Sequence, residues 1–139
     1  MLVIGPTDAG KSSFILAATE AAAAAGNPLR LIDLDPGQKM LGPPGSVSLG
    51  STLPLRLDKF LFVGTTSASA FSAITKGATE LARFGEPFIA NTSGFVRGLG
   101  ARLQSWTIAA LDADLVIAIG DRTGLGPIVE GKDMAVLWL

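Results

Sequence analysis

The sequence predicts an α/β fold: a parallel sheet covered on both faces by helices, in three layers, as one domain over residues 1–139. Three observations predict it. Short apolar runs alternate with segments of helical period along the chain, the order expected of a sheet built from strand–helix–strand units. Apolar residues make up 48% of the chain and charged ones 17%, a balance suited to strands buried on both faces. The first apolar run, Met1-Leu2-Val3-Ile4, leads straight into a glycine-bounded loop and a helix-forming segment.

The elements follow in order. After the first strand, a helix runs from Lys11 to Ala25 and stops at Gly26-Asn27, a common helix-ending pair. Its alanine run, Ala21 to Ala25, forms helix readily and reads as close packing on the sheet. Leu29 to Pro36 is the second strand, with carboxylates at its C-terminal end. Residues 36–58 lack helical period and carry Pro36, Gly37, Gly42, Pro43, Pro44, Gly45, Gly50 and Pro54. So long an irregular stretch is usually functional or disordered, and Val47–Leu49 with Leu53–Leu57 form at most a short hairpin in it. Phe60–Gly64 is the third strand. The next helix spans Ser69 to Phe84, with Ile74, Ala78 and Leu81 on one face. Pro87–Asn91 is the fourth strand and Thr92–Gly100 a loop. The third helix, Leu99 to Leu111, aligns Leu99, Leu103, Trp106 and Ala110. Leu115–Ile119 and Met134–Leu139 complete the sheet, and Trp106 and Trp138 read as core residues. Both termini fall inside apparent strands, so the expectation is a core belonging to a longer protein.

Composition narrows the chemistry. The chain has no cysteine, which excludes disulfides and thiolate metal sites. It has no histidine either, so a general base must be a carboxylate or, less readily, a lysine. Net charge is −1, so a polyanion must be held by a local patch rather than a global field. No apolar run reaches the ~18 residues of a membrane span, and Gly5-Pro6 interrupts the apolar start too early for a signal peptide. The expectation is an intracellular, cytoplasmic protein without a membrane partner.

The main chemical signal is Gly5-Pro6-Thr7-Asp8-Ala9-Gly10-Lys11-Ser12. It carries the full Gly-x-x-x-x-Gly-Lys-Ser phosphate-binding pattern between a strand and a helix, and places the fold in the P-loop NTPase type. Glycines let successive N–H groups turn inward on phosphate oxygens, and the helix start adds its positive end. Gly5 to Ser13 (with Pro6, Thr7, Asp8, Ala9 and Gly10) are the candidate nucleotide contacts. Lys11 would reach the β- and γ-phosphates and Ser12 would hold Mg²⁺, making ATP and Mg²⁺ the expected cofactors. In parallel sheets, ligands gather at the carboxyl ends of the strands. There the second strand offers Asp33 and Asp35, two residues apart and so on one face of an extended chain. Asp33 is the candidate for the metal and Asp35 for the attacking hydroxyl, although the pair can be reversed. Thr65 follows the third strand, Asn91 and Thr92 the fourth, and all three are candidate substrate contacts.

Beyond the phosphate loop, Asp33-Leu34-Asp35-Pro36-Gly37-Gln38, Pro43-Pro44-Gly45-Ser46-Val47-Ser48-Leu49 and Asn91-Thr92-Ser93-Gly94-Phe95-Val96-Arg97-Gly98-Leu99-Gly100 occur in this order. Together they resemble the P-loop domain of polynucleotide 5′-hydroxyl kinases, which include the RNA kinase subunit of the mRNA cleavage factor and the pre-rRNA-processing kinases. The resemblance covers nearly the whole chain. It implies phosphoryl transfer from ATP to the 5′-hydroxyl of RNA or, less readily, DNA, with Gln38 and the 92–97 loop flanking the terminal nucleotide. Phe95 stands where the family usually has tryptophan, and a phenylalanine ring keeps a smaller stacking face. Arg97 would pair with a substrate phosphate. Longer members carry an arginine-containing lid and flanking β-rich domains beyond the segment matching Leu139, so protein partners are expected to supply those parts here. The competing readings are a nucleotide-dependent switch or partner-binding ATPase, and an inactive ATP-binding core. Partitioning-type ATPases carry an extra lysine early in the phosphate loop, and positions 6 to 9 have none. An Asn-Lys-x-Asp guanine-reading segment is also missing.

Overall fold

Leu2, Val3 and Ile4 are wholly buried, as a strand flanked by others and covered on both faces requires. The structure, a computed structural model, describes residues 1–84 and 87–139. Its parallel strands are β1 (Leu2–Ile4), β2 (Arg30–Asp33), β5 (Phe88–Asn91), β6 (Leu115–Ala118) and β7 (Ala135–Trp138), and a hairpin of β3 (Ser46–Thr52) and β4 (Leu55–Phe62) extends one edge. Among the described residues these form one sheet in the order β4-β3-β2-β5-β1-β6-β7. The expected P-loop α/β class is what the chain adopts.

The chain leaves β1 for β2, returns to β5 between them, and then crosses β1 to reach β6. That reversal beside β1 is where open parallel sheets bind ligands. Alternate residues of the central strands feed two cores. Val3, Leu31, Ile89 and Ile117 meet Ile15 of α1 (Lys11–Ala24) and Leu41. Leu2, Ile4, Ile32, Ala90 and Val116 meet α2 (Phe71–Ala82), α3 (Leu99–Ala110) and α4 (Arg122–Val129) through Ile74, Leu81, Leu103, Ile108, Leu125 and Ile128.

Several expectations are corrected. The third strand is not a parallel central strand: Phe60–Phe62 ends one eight-residue strand, β4, antiparallel to β3, which is antiparallel to β2. The hairpin is longer than the proline- and glycine-rich stretch implied, because a register shift at Leu49/Gly50 absorbs the irregularity. Asp35 lies beyond β2, whose last residue is Asp33. The alanine run does not pack on the sheet: Ala21, Ala23, Ala24 and Ala25 are exposed. A 14-residue helix is about 21 Å long and outruns strands of three or four residues, about 10–13 Å. In α3 the buried face is Gly100, Leu103, Gln104, Thr107 and Ile108, whereas Leu99 is 56% and Trp106 46% exposed. Ile74, Ala78 and Leu81 do share the buried face of α2. Helix α4 escaped the sequence because Gly124, Gly126 and Pro127 argue against one; Asp121 caps it, accepting from the Gly124 N–H at 2.9 Å.

Candidate nucleotide and polynucleotide site

The phosphate loop is built as its spacing requires. Gly5 packs against the residue that follows β6, where a Cβ would lie 2.5 Å from the Ile119 carbonyl oxygen. Gly10 has φ +90° and starts α1 without a side-chain cap or an acidic residue in the first turn. The first backbone bond of the helix runs from Phe14 N–H to Gly10 O, 2.9 Å. The N–H groups of Lys11, Ser12 and Ser13 precede it, so the helix itself gives them no partner and they suit a bound anion.

Lys11 is 8% exposed. Its Nζ donates to the carbonyls of Gly5 (3.0 Å) and Pro6 (2.8 Å), within its own loop. Burial pushes its pKa below the usual 10.5, against the upward pull of Asp35 and Asp8. A desolvated ammonium whose hydrogen bonds go to neutral carbonyls gains from a phosphate oxygen.

One cleft of about 290 Å³ joins these parts: Asp8, Gly10, Lys11, Ser12 and Ser13 on one side, and Asp35, Gln38, Asn91 and Thr92 on the other. Asp35 is 7% exposed. Its Oδ1 accepts from the N–H groups of Gly37 (2.9 Å) and Gln38 (3.0 Å), so the turn fixes the carboxyl and leaves Oδ2 without a donor among the described residues. Asn91 donates through Nδ2 to Asp33 Oδ1 (3.0 Å), and its buried Oδ1 has no partner among the described residues. Asn91 as a residue lines the cleft, with Gln38 and Thr92. Thr92 donates to the Val3 carbonyl at 2.8 Å, tying the loop after β5 to β1.

Other candidates lie elsewhere. Asp33 is fully buried and does not line the cleft. Its Oδ1 receives the Asp35 N–H and Asn91, and its Oδ2 receives the N–H groups of Met40 and Leu41 and the Lys39 ammonium. A metal bond at Asp33 would have to displace such donors. Thr65 accepts from the Ser67 N–H and borders Gly45, outside the cleft. Phe95, 45% exposed, and exposed Arg97 occupy the 92–97 loop, also outside the cleft lining. That loop nevertheless touches the phosphate loop, because a Cβ on Gly94 would lie 2.7 Å from the Thr7 Cα. Arg122, from beyond β6, stacks over the Trp138 ring at 5.2 Å. Two residues that organise the site escaped the sequence. Lys39 resembles a solvated loop lysine, and Gln104 is a polar residue on the helix stripe the sequence did not choose.

Fold and site define a P-loop nucleotide-binding domain. Residues 5–131 match the family described as mRNA cleavage and polyadenylation factor CLP1 P-loop, and the chain belongs to that family. It is 30% identical to a polyribonucleotide 5′-hydroxyl-kinase of Pyrococcus furiosus, aligning over 94% of this chain and 40% of that protein. It is also 30% identical to a CLP1 homolog of Dictyostelium discoideum, over 86% of this chain and 31% of that protein. The chain therefore spans less than half the length of these relatives. A solved Clp1p–Pcf11p complex contains a chain of the same fold, with TM-score 0.67 and 15% identity, covering 99% of this chain and 42% of that one. No helix among the described residues is long and apolar enough to cross a membrane.

Removing the phosphate-loop amine should be felt directly in binding. Hydrogen bonds to charged groups contribute about 1.5–3 kcal/mol, so Lys11→Ala should weaken Mg·ATP by on the order of 10²-fold. It should also remove the rise in melting temperature expected of the parent chain on adding Mg·ATP. Equal titrations for the two proteins would refute the phosphate-loop assignment.

Proposed function

We propose that this chain is the phosphoryl-transfer core of a polynucleotide 5′-hydroxyl kinase, moving the γ-phosphoryl of ATP to the 5′-hydroxyl of an RNA end. The observation that carries the proposal is the meeting of the phosphate loop with Asp35, Gln38, Asn91 and Thr92 in one cleft. The names of the Pyrococcus furiosus relative and others like it support RNA as the acceptor. Adenine is the proposed base, since no guanine-reading segment is present.

In this reading, the amides at the start of α1 and the Lys11 ammonium hold the triphosphate, with Lys11 leaving the Gly5 and Pro6 carbonyls for phosphate oxygens. Ser12 is the direct ligand proposed for Mg²⁺, which when bound neutralises charge on the β- and γ-phosphates. The metal role considered for Asp33 would be left to Ser12, which lines the cleft as Asp33 does not. Asp35 takes the proton of the 5′-hydroxyl as its oxygen forms the new bond to phosphorus and the bond to ADP breaks. Phe95 stacks on the terminal base and Arg97 pairs with a following phosphate. Arginines that neutralise the moving phosphoryl are worth orders of magnitude in rate. Arg122 is engaged with Trp138, so partners or further segments supply that charge. Alone, the chain should turn over well below the ~1–100 s⁻¹ typical of kinases.

The test is label transfer from γ-labelled ATP to matched 5′-hydroxyl and 5′-phosphate oligoribonucleotides. Label should enter only the 5′-hydroxyl strand, GTP should be a poorer donor, and Phe95→Ala should raise the oligonucleotide KM. ATP hydrolysis without labelled strand would instead support a nucleotide-driven switch. Nucleotide binding with neither activity would leave an ATP-binding core.

A further inference from the structure

The 92–97 loop is held from three sides. Thr92 bonds to β1 at its root. Gly94 sits on Thr7 with no room for a Cβ. On the far side lies α3, where a Cβ on Gly100 would fall 2.6 Å from the Phe95 carbonyl carbon and from its ring Cγ. Between these contacts stands Gln104, 1% exposed. Its Nε2 reaches the Ser93 carbonyl at 2.9 Å, the Phe95 carbonyl at 3.3 Å and the Ser93 hydroxyl at 3.3 Å.

The amide can face only one way. Both carbonyls are acceptors, so the NH₂ end must point at them. Its Oε1 is then turned away and has no partner among the described residues. Full burial with one end unpaired is costly for an amide, and an apolar residue would suit the stripe between Gly100 and Ile108 better. What the glutamine adds is a pair of donors to the two carbonyls on either side of Gly94.

We propose that Gln104 is a positioning residue for the acceptor strand. It holds the 93–95 backbone against Thr7, so that the Phe95 ring and the phosphate loop keep a fixed separation. The inference rests on the kinase reading for the identity of the strand, but the brace itself can be measured without any substrate. Because the 93–95 loop and the phosphate loop share the Gly94–Thr7 contact, nucleotide and strand should also bind synergistically, each raising the affinity for the other.

Gln104→Met tests this with little change in volume, and Gln104→Glu keeps the shape while losing the donor pair when ionised. The Met variant removes the unpaired Oε1 but also takes the donors from the Ser93 and Phe95 carbonyls, two effects of opposite sign, so its melting temperature should change by no more than a few degrees. The oligonucleotide KM should rise about tenfold, the loss of roughly two modest hydrogen bonds, with the affinity for ATP measured in the absence of strand unchanged. Amide hydrogen exchange at residues 94–97 should quicken in both variants without any ligand. The strand's affinity should no longer respond to a non-hydrolysable ATP analogue. Equal losses of ATP and strand affinity would reduce Gln104 to general packing, and unchanged exchange in the loop would overturn the brace outright. If the parent chain binds no oligonucleotide, the kinase reading fails, and the exchange measurement alone decides whether Gln104 holds the loop.

Discussion

Asp35→Asn should lower label transfer to a 5′-hydroxyl strand by about 10²–10⁴-fold, the span that positioned general bases contribute. The substitution is nearly isosteric. An asparagine oxygen still accepts from the Gly37 and Gln38 N–H groups that hold Oδ1 at 2.9 and 3.0 Å, so the turn should survive. What disappears is the negative charge and the second oxygen, the one left free of protein donors. ATP binding should persist, because the groups assigned to the phosphates belong to the first turn of α1 and the loop before it. A transition-state loss of this kind appears in kcat with little change in either KM. Transfer within twofold of the parent chain would remove Asp35 from the chemistry. Asp33 would be a poor substitute, with five donors already on its two oxygens.

How far the residue pattern alone leads depends on the range of the interaction involved. The phosphate loop was legible because its chemistry is local: glycine, lysine and serine at fixed spacing define a backbone shape and a charge. The central strands were legible because burial on both faces demands unbroken apolar runs such as Leu2–Ile4 and Leu31–Ile32. The hairpin was obscured because Gly50 and Pro54 signal irregularity, while the pairing that overrides them is between strands. In α3 the sequence offers two stripes a short rotation apart. Leu99 and Trp106 favour one by hydrophobicity, but Gly100 and Gln104 occupy the buried one for reasons of close approach and donor geometry. Lys39 shows the same limit. Nothing next to Gln38 announces a buried ion pair, since its partner Asp33 is brought to it by the fold of the 36–45 segment. Strand order also mattered: β5 lies between β1 and β2, and this puts Asn91 rather than Asp33 beside the phosphate loop.

Asp33→Ala should be the most destabilising single change in the site, and should act without nucleotide or metal. The carboxylate joins the end of β2 to Asn91 on β5 and to residues 39–41. Lys39 in turn donates to the carbonyls of Asp33 (3.1 Å) and Ser46 (3.2 Å), with only 7% of its side chain exposed. Deleting one partner of a buried ion pair costs about 3–5 kcal/mol, a large share of a typical ~5–15 kcal/mol total. In a domain of this size that is a drop in melting temperature of roughly 10 °C or more. Part of the penalty comes from the stranded ammonium and part from the four N–H donors of Asp35, Met40, Leu41 and Asn91, so adding Lys39→Met should recover the first part, making the double variant more stable than Asp33→Ala alone. The pH dependence has a definite sign. Burial already pushes the Lys39 pKa below 10.5, against the raising influence of Asp33, and removing Asp33 should lower it further. Between the folded pKa and 10.5 the unfolded chain binds more protons than the folded one, so stability contributed by this group rises with pH. The gap in melting temperature between Asp33→Ala and the parent chain should therefore narrow as pH climbs towards 10.5. A gap that is absent, that widens with pH, or that Lys39→Met makes worse would show that Asp33 is not the strut beneath the site.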